Sequence, residues 1–293
     1  MLGLSCAVLA IGCGDSKNGS SEPDAATPDG SASNGIADVP GVVLWLDAAQ
    51  GVTTDQGKVT LWADRSGNHN DASQQNANWQ PAVVAAGIHG LPSVHFTGQV
   101  ASGQQASYGT LLNIADSATL QWASADYLIE VVTRYDNTPT GTVATERATG
   151  YGTLYSKQTQ NPQLPAEGVA FFANTPAGDT ASGTTAFSSY VYVSHGVTDS
   201  AQGFNDGVAR LLGTQRVGAT TLSLRVNGVE AATSTVPSMN VDEVGVGARI
   251  GASGDATIAR LDGDIAEMIV VKGSIAATDL ATLETYLTTK YGL

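Results

Sequence analysis

From residue 39 onward, apolar and polar residues alternate over short runs, and clusters of Gly, Asn, Asp and Thr separate the runs. A period of two sends successive side chains to opposite faces of an extended chain, so the pattern predicts a series of strands. Residues 41–47 (GVVLWLD) form the first, with Val43, Trp45 and Asp47 on one face and Val42, Leu44 and Leu46 on the other. Apolar residues on both faces mark it as an inner strand. Strands are expected next at 58–63, 92–96, 127–135 (YLIEVVTRY), 152–157, 169–173 and 190–194. The clearest hairpin joins 221–227 to 229–236. Leu222, Leu224 and Val226 alternate there with Ser223 and Arg225, and Asn227-Gly228 suits a type I′ turn, whose two central residues need positive φ. Runs at 244–251 and 261–271 close the series. Helical spacing occurs once, at 278–290: Leu280, Leu283 and Leu287 make a stripe, Thr278 is placed to cap, Asp279 lies in the first turn, and Gly292 offers an end. The expected fold class is all-β, one large two-sheet antiparallel sandwich over residues 37–293 with a single C-terminal helix.

The N-terminus has a different pattern. Residues 1–13 (MLGLSCAVLAIGC) are an apolar run, too short for a bilayer that needs about 20 such residues. A signal-peptide core fits better. Ala10-Ile11-Gly12-Cys13 resembles a bacterial lipobox, in which small residues admit the peptidase and the thiol takes the lipid. The expectation is a signal peptide at 1–12 and lipidation at Cys13. No Lys or Arg precedes the run, and Ala10 stands where Leu is commoner; an ordinary cleaved signal or a chance apolar start is the alternative. Both cysteines, Cys6 and Cys13, fall in this segment, so no disulfide is expected in the globular part. Residues 14–36 contain Ile36 as their one large aliphatic residue and cannot offset chain entropy by burial, which predicts a flexible tether over 13–36. An extracytoplasmic location follows, with the protein lipid-anchored to a bacterial membrane; Gly14 after the cysteine favours the outer membrane or cell surface.

Charge narrows the partners. The 293 residues carry 13 Lys+Arg against 27 Asp+Glu, a formal net charge of −14. No basic cluster is present to displace phosphate counterions, so no nucleic acid is expected as partner. No Gly-x-x-x-x-Gly-Lys loop occurs, so no nucleotide is expected either. With 42% apolar residues the chain has ample material for a core.

Three blocks then carry a resemblance. Val43-Leu-Trp-Leu-Asp-Ala-Ala-Gln-Gly-Val52 leads to Trp62-Ala-Asp-Arg-Ser-Gly-Asn-His-Asn70; residues 81–96 include GIHGLPSVHF; and Leu261-Asp-Gly-Asp-Ile-Ala-Glu-Met-Ile-Val270 precedes the terminal helix. Together they resemble the laminin-G-like, concanavalin A-like lectin/glucanase superfamily. The resemblance implies a jelly roll, and a lectin-like, non-catalytic role with a polysaccharide or cell-surface protein as partner. It leaves open a glycoside hydrolase and a purely structural adhesion module, because the fold serves all three.

The hydrolase alternative falls on Asp262, Asp264 and Glu267. Glucanases of this fold use Glu-x-Asp-x-x-Glu, and Asp262-Gly-Asp-Ile-Ala-Glu267 has that spacing with Asp in first place. On a regular strand Glu267 would face away from the other two, so a bulge would be required. His69, His89, His95 and His195 show no metal spacing, and His95, inside a strand, reads as a hydrogen-bonded structural residue. Asp64, Ser66, Asn68, Asn70 and Asp71 surround Gly67 with side-chain oxygens, which suits either an Asx-type turn or a calcium loop; calcium is the one possible cofactor. For sugar stacking, Trp79 beside Asn76 and Asn78 is the loop-borne aromatic, with Tyr151 a further ligand-binding candidate.

Overall fold

In the computed structural model, the residues described are 35–98, 109–135, 152–159, 167–175, 186–192, 195–199, 203–204, 206–254 and 261–293. Residues 1–34, and with them the signal segment, Cys13 and nearly all of the tether, lie outside the described residues, as does Tyr151.

In chain order the strands are β1 (Val42–Asp47), β2 (Val52–Asp55), β3 (Lys58–Trp62), β4 (Ala72–Ser73), β5 (Ala82–Ile88), β6 (Leu91–Phe96), β7 (Leu112–Ile114), β8 (Tyr127–Tyr135), β9 (Thr153–Thr159), β10 (Glu167–Thr175), β11 (Ala186–Tyr192), β12 (His195–Asp199), β13 (Ala209–Val217), β14 (Thr221–Val226), β15 (Val229–Thr235), β16 (Ala248–Ile250) and β17 (Gly263–Lys272), followed by helix α1 (Ala277–Tyr291). All pairings are antiparallel. One sheet runs β15-β14-β13-β8-β17, and the far edge of β17 is shared by β6 along its first residues and β1 along the rest. The second runs β12-β11-β10-β9-β16-β7-β4-β3-β2. β5 pairs with β6 and touches β3 at Lys58–Ala82, which links the two at an edge. Leu44, Leu46, Ile129, Val131, Met268 and Val270 of the first sheet share one buried cluster with Leu112, Ile114, Leu154, Phe171, Phe187 and Ile250 of the second. This is a two-sheet antiparallel sandwich with one C-terminal helix, the expected class.

Two bulges set which residues face which way. A register shift between Val42 and Leu44 puts Val43 with Leu44 and Leu46 in the sandwich core and leaves Val42, Trp45 and Asp47 on the outer face. The expected assignment of Val42 and Val43 is therefore exchanged, because one extra residue inverts the alternation on one side of it. The second bulge, between Ile265 and Glu267 of β17, has larger consequences below.

The outer face of the first sheet is covered by α1. Leu283, Leu287 and Tyr291, spaced one turn apart, bury against Trp45, Leu128, Val132, Leu211, Ala266, Ile269 and Val271. Gly292 ends the helix in the left-handed region (φ 63°, ψ 41°), its N–H donating to Thr288, as a C-terminal glycine does best. Thr278 does not cap: Ala276 occupies that position and no side chain bonds the first turn. Ile36, assigned to the tether by composition, is fully buried in this same cluster, so the body begins before it. The Asn227-Gly228 turn has φ of 49° and 79°, the positive pair its hairpin requires. The run expected at 244–251 is strand only over Ala248–Ile250; Gly245 at φ 82° turns the chain ahead of it. Among the described residues no helix is long and apolar enough to cross a membrane.

Candidate functional site

Strand β17 carries the candidate acids, and its bulge decides their geometry. Because two residues oppose one between Ile265 and Glu267, Ala266 and Glu267 both leave the sandwich core while Ile265 and Met268 stay in it. Asp264 and Glu267 thus reach the same outer side of the sheet, as the glucanase spacing would require. Their surroundings then separate them.

Glu267 is sealed. It has no exposed surface, and each of its oxygens accepts two hydrogen bonds: Oε1 from Trp45 Nε1 (2.6 Å) and Tyr286 (3.0 Å), Oε2 from Lys290 (2.7 Å) and Tyr291 (3.0 Å). Lys290 also bonds Asp47 Oδ2 at 2.8 Å, and Arg65 reaches the same oxygen at 3.2 Å while its guanidinium lies 4.1 Å from the Trp45 ring centroid. Burial, and then the Asp47 charge, hold the Glu267 carboxyl above its ordinary range in spite of Lys290. With its lone pairs filled and α1 over it, this carboxylate has no route to a substrate. It fastens the helix to the sheet.

Asp264 is also nearly buried, but at the floor of an open pocket of about 390 Å³ lined by Val84, His95, Arg134, Gly207, Gly263 and Asp264. Its Oδ1 accepts from Ser93 Oγ and pairs with His95 Nδ1, both at 3.2 Å. Its Oδ2 accepts from Arg134 Nε (3.0 Å) and Nη2 (2.5 Å). Burial opposes its charge, but His95 and Arg134 overcome that and keep the carboxyl below its ordinary value. The hydrogen bond that His95 makes to Asp264 raises the imidazole above its usual value. Ser93 donates to the carboxylate and not to the imidazole, so the trio lacks the nucleophile–base contact of a hydrolase. His95 is hydrogen-bonded within its strand, as expected, but it also lines a pocket. A paired acid and nucleophile flanking one bond need a common cleft. Glu267 is not among the residues lining this one.

The Gly67 loop is closed by its own hydrogen bonds. Asp64 Oδ1 accepts from the N–H groups of Trp45 and Ser66, and Oδ2 from Ser66 Oγ and Asn70 N–H, all at 2.8–2.9 Å. Asp71 accepts from Asp64 N–H at 2.8 Å. Asn68 and Asn70 donate their amides to the carbonyls of Val42 and Val43, and Asn70 Oδ1 accepts from Ser117. These side chains bind the loop to β1, which is what an Asx-type turn does. A cation would have to displace several of these bonds, so the melting temperature is expected to be the same in calcium and in chelator; a calcium-dependent rise in a thermal melt would overturn the turn assignment.

Trp79 sits half-buried in a turn closed by its N–H to Asn76 O (2.9 Å), with Asn76 and Asn78 exposed and Asn78 N–H bonded to Asn76 Oδ1. The structure thus brings Trp79, Asn76 and Asn78 together on one turn. Trp45 and Trp62 are core. Arg134 and Lys290 were missed in the sequence: Arg134 is read there as one more strand position, although its parity with Glu130 in an otherwise apolar run marks a polar side of β8. Nothing local distinguishes Lys290 from any lysine in a last helical turn.

No family model matches the sequence, and no curated protein matches it. Solved structures do match the fold. The binding domain of Paraclostridial Mosquitocidal Protein 1 aligns with a TM-score of 0.54 at 10% identity, over 86% of this chain and 53% of that one. Domain 4 of AbnA, an extracellular arabinanase of Geobacillus stearothermophilus in complex with arabinotriose, aligns at 0.54 and 12%, over 84% of this chain and 99% of the domain. The botulinum neurotoxin serotype D binding domain aligns at 0.50 and 12%, over 86% of this chain and 52% of that one. The chain spans about half the length of the two toxin domains. At such identities the likeness establishes the fold alone: an all-β, two-sheet antiparallel sandwich with one C-terminal helix.

Proposed function

We propose that this protein is a non-catalytic, lectin-like recognition module, tethered outside the cytoplasm by a lipid on Cys13 and binding a glycan of a polysaccharide or cell surface. The observation that carries the non-catalytic half is the sealing of Glu267: the one carboxylate at glucanase spacing from Asp264's motif is spent on Trp45, Tyr286, Lys290 and Tyr291. The glycan half draws support from the likeness to an arabinanase domain that is matched over nearly its whole length and was solved with a sugar bound. The anchor is supported by the lipobox-like Ala10–Cys13 and the core-poor composition of residues 14–34 behind it.

Each half has its own test. A glycan array probed with the full chain is expected to show retained binders and no released reducing sugar; release of sugar that is lost in Glu267→Gln would reverse the reading. Cells fed radiolabelled palmitate are expected to label the protein, and Cys13→Ser to abolish the label. Equal labelling of the Cys13→Ser protein would remove the anchor.

A further inference from the structure

We propose that the pocket of His95, Arg134 and Asp264 binds the carboxylate of an acidic sugar residue, a hexuronate. This rests on the glycan-binding reading and gives it a place and a ligand class.

The argument begins with donor and acceptor inventory. Asp264 offers two oxygens, each with two lone-pair directions, and all four are taken by Ser93, His95 and the two Arg134 nitrogens. The carboxylate therefore has nothing left with which to accept a sugar hydroxyl. What remains toward the pocket is the rest of the guanidinium and the far nitrogen of the imidazole. The Arg134 and His95 side chains are 38% and 40% exposed, whereas Asp264 is 4%. Asp264 takes the side-on fork of Arg134, Nε and Nη2, which leaves the end-on fork of Nη1 and Nη2 for a second planar, two-oxygen partner. A carboxylate has that shape. Asp264 acts as a positioning residue, holding guanidinium and imidazole at one place.

The walls suit a sugar ring. Gly207 and Gly263 bring bare backbone to the lining, and Val84 supplies an apolar side for C–H groups. The volume is that of a small-ligand site.

Charge sets the conditions. Among the described residues, the groups acting on His95 are Asp264 of β17, Asp262 just before it and Arg134 of β8, while β5 (AVVAAGI) contributes none. With His95 neutral, these four side chains sum to one negative charge and the imidazole's far nitrogen is an acceptor. With His95 protonated they sum to zero and that nitrogen becomes a donor. Binding of an anion is thus favoured on the acid side of the imidazole titration, which the Asp264 bond shifts upward.

The test is calorimetric titration of the full chain with trigalacturonate, its methyl ester and a sulfated neutral trisaccharide. The free acid is expected to bind at least about tenfold more tightly at about pH 5.5 than at about pH 8.5, with the ester not binding. His95→Gln is expected to flatten that pH dependence, and Arg134→Gln to abolish binding, each with an unchanged far-ultraviolet spectrum. Should Arg134→Gln fail to fold, the His95→Gln profile still decides. Equal binding of acid and ester, preference for the sulfated sugar, or full affinity in folded Arg134→Gln would overturn the site. If the free acid does not bind while neutral glycans bind wild type and Arg134→Gln alike, this pocket fails and the lectin reading stands; if no glycan binds, both fail.

Discussion

Lys290→Met is expected to cost about 3–5 kcal/mol of folding stability, read as a lowered midpoint in urea unfolding. The reason is what the substitution leaves behind. Asp47 and Glu267 both lie fully buried, and Lys290 is the cation that touches the two of them, at 2.8 and 2.7 Å. Removing one member of such a set strands buried negative charge next to buried negative charge. The double variant Lys290→Met/Glu267→Gln is expected to recover part of the loss, since one of the stranded charges is gone. The gain lives on the lysine: burial opposes its cation, yet Glu267 and Asp47 raise it above its ordinary value. Its contribution is therefore complete below the unfolded lysine value, about 10.4, and is lost as pH rises through the higher folded value. A Lys290→Met protein as stable as wild type would mean that α1 is held by its apolar stripe alone.

Glu130→Leu is expected to act in the opposite direction, stabilising by about 1–3 kcal/mol. Glu130 projects from β8 toward the helix side, is 1% exposed, and has no hydrogen-bond partner for either oxygen among the described residues. Gly213 faces it across the register pair, and a methyl there would come within 2.5 Å of the carboxyl. Burial, and then the charge of Glu284, push its carboxyl well above the ordinary range, with Arg225 opposing. The folded state keeps a proton that the unfolded chain sheds above about pH 4.3, so the group's contribution is greatest below that and declines as pH rises. Thermal melts should accordingly show a larger gain for Glu130→Leu at about pH 8 than at about pH 5. Glu130→Gln keeps the orphaned polar atoms and should gain less. Destabilisation by Glu130→Leu would point to a partner that the hydrogen-bond geometry does not show.

These two residues also show what the sequence could and could not convey. Alternation of apolar residues locates β8 at its two ends and predicts the Asn227-Gly228 hairpin, because period and turn chemistry are local properties. The stripe Leu283, Leu287 and the closing Gly292 are local in the same way. The bulges at Val43 and Ala266 are not: each depends on a partner strand more than a hundred residues away, and each changes the side to which its neighbours point. The glucanase-like spacing was legible, and so was the need for a bulge to unite it. That Glu267 would then be covered by Tyr286, Lys290 and Tyr291 was not, since no pattern in β17 registers what an amphipathic helix brings over it. The Asp64 loop reads in sequence as a turn first and a cation site second; what the sequence does not convey is that its oxygens have N–H and O–H partners, one of them on Trp45.

The bond from Lys290 to Asp47 joins positions 243 residues apart, and Ile36 enters the same cluster as Leu283 and Tyr291. A chain emerging N-terminus first holds β1 early but cannot dress its outer side until the final helix arrives. Through that interval Trp45 lacks both its β17 neighbour Ile269 and the helix, and its apolar surface is open to association with other chains. Completion of the fold is accordingly expected to compete with aggregation until the last helix has arrived.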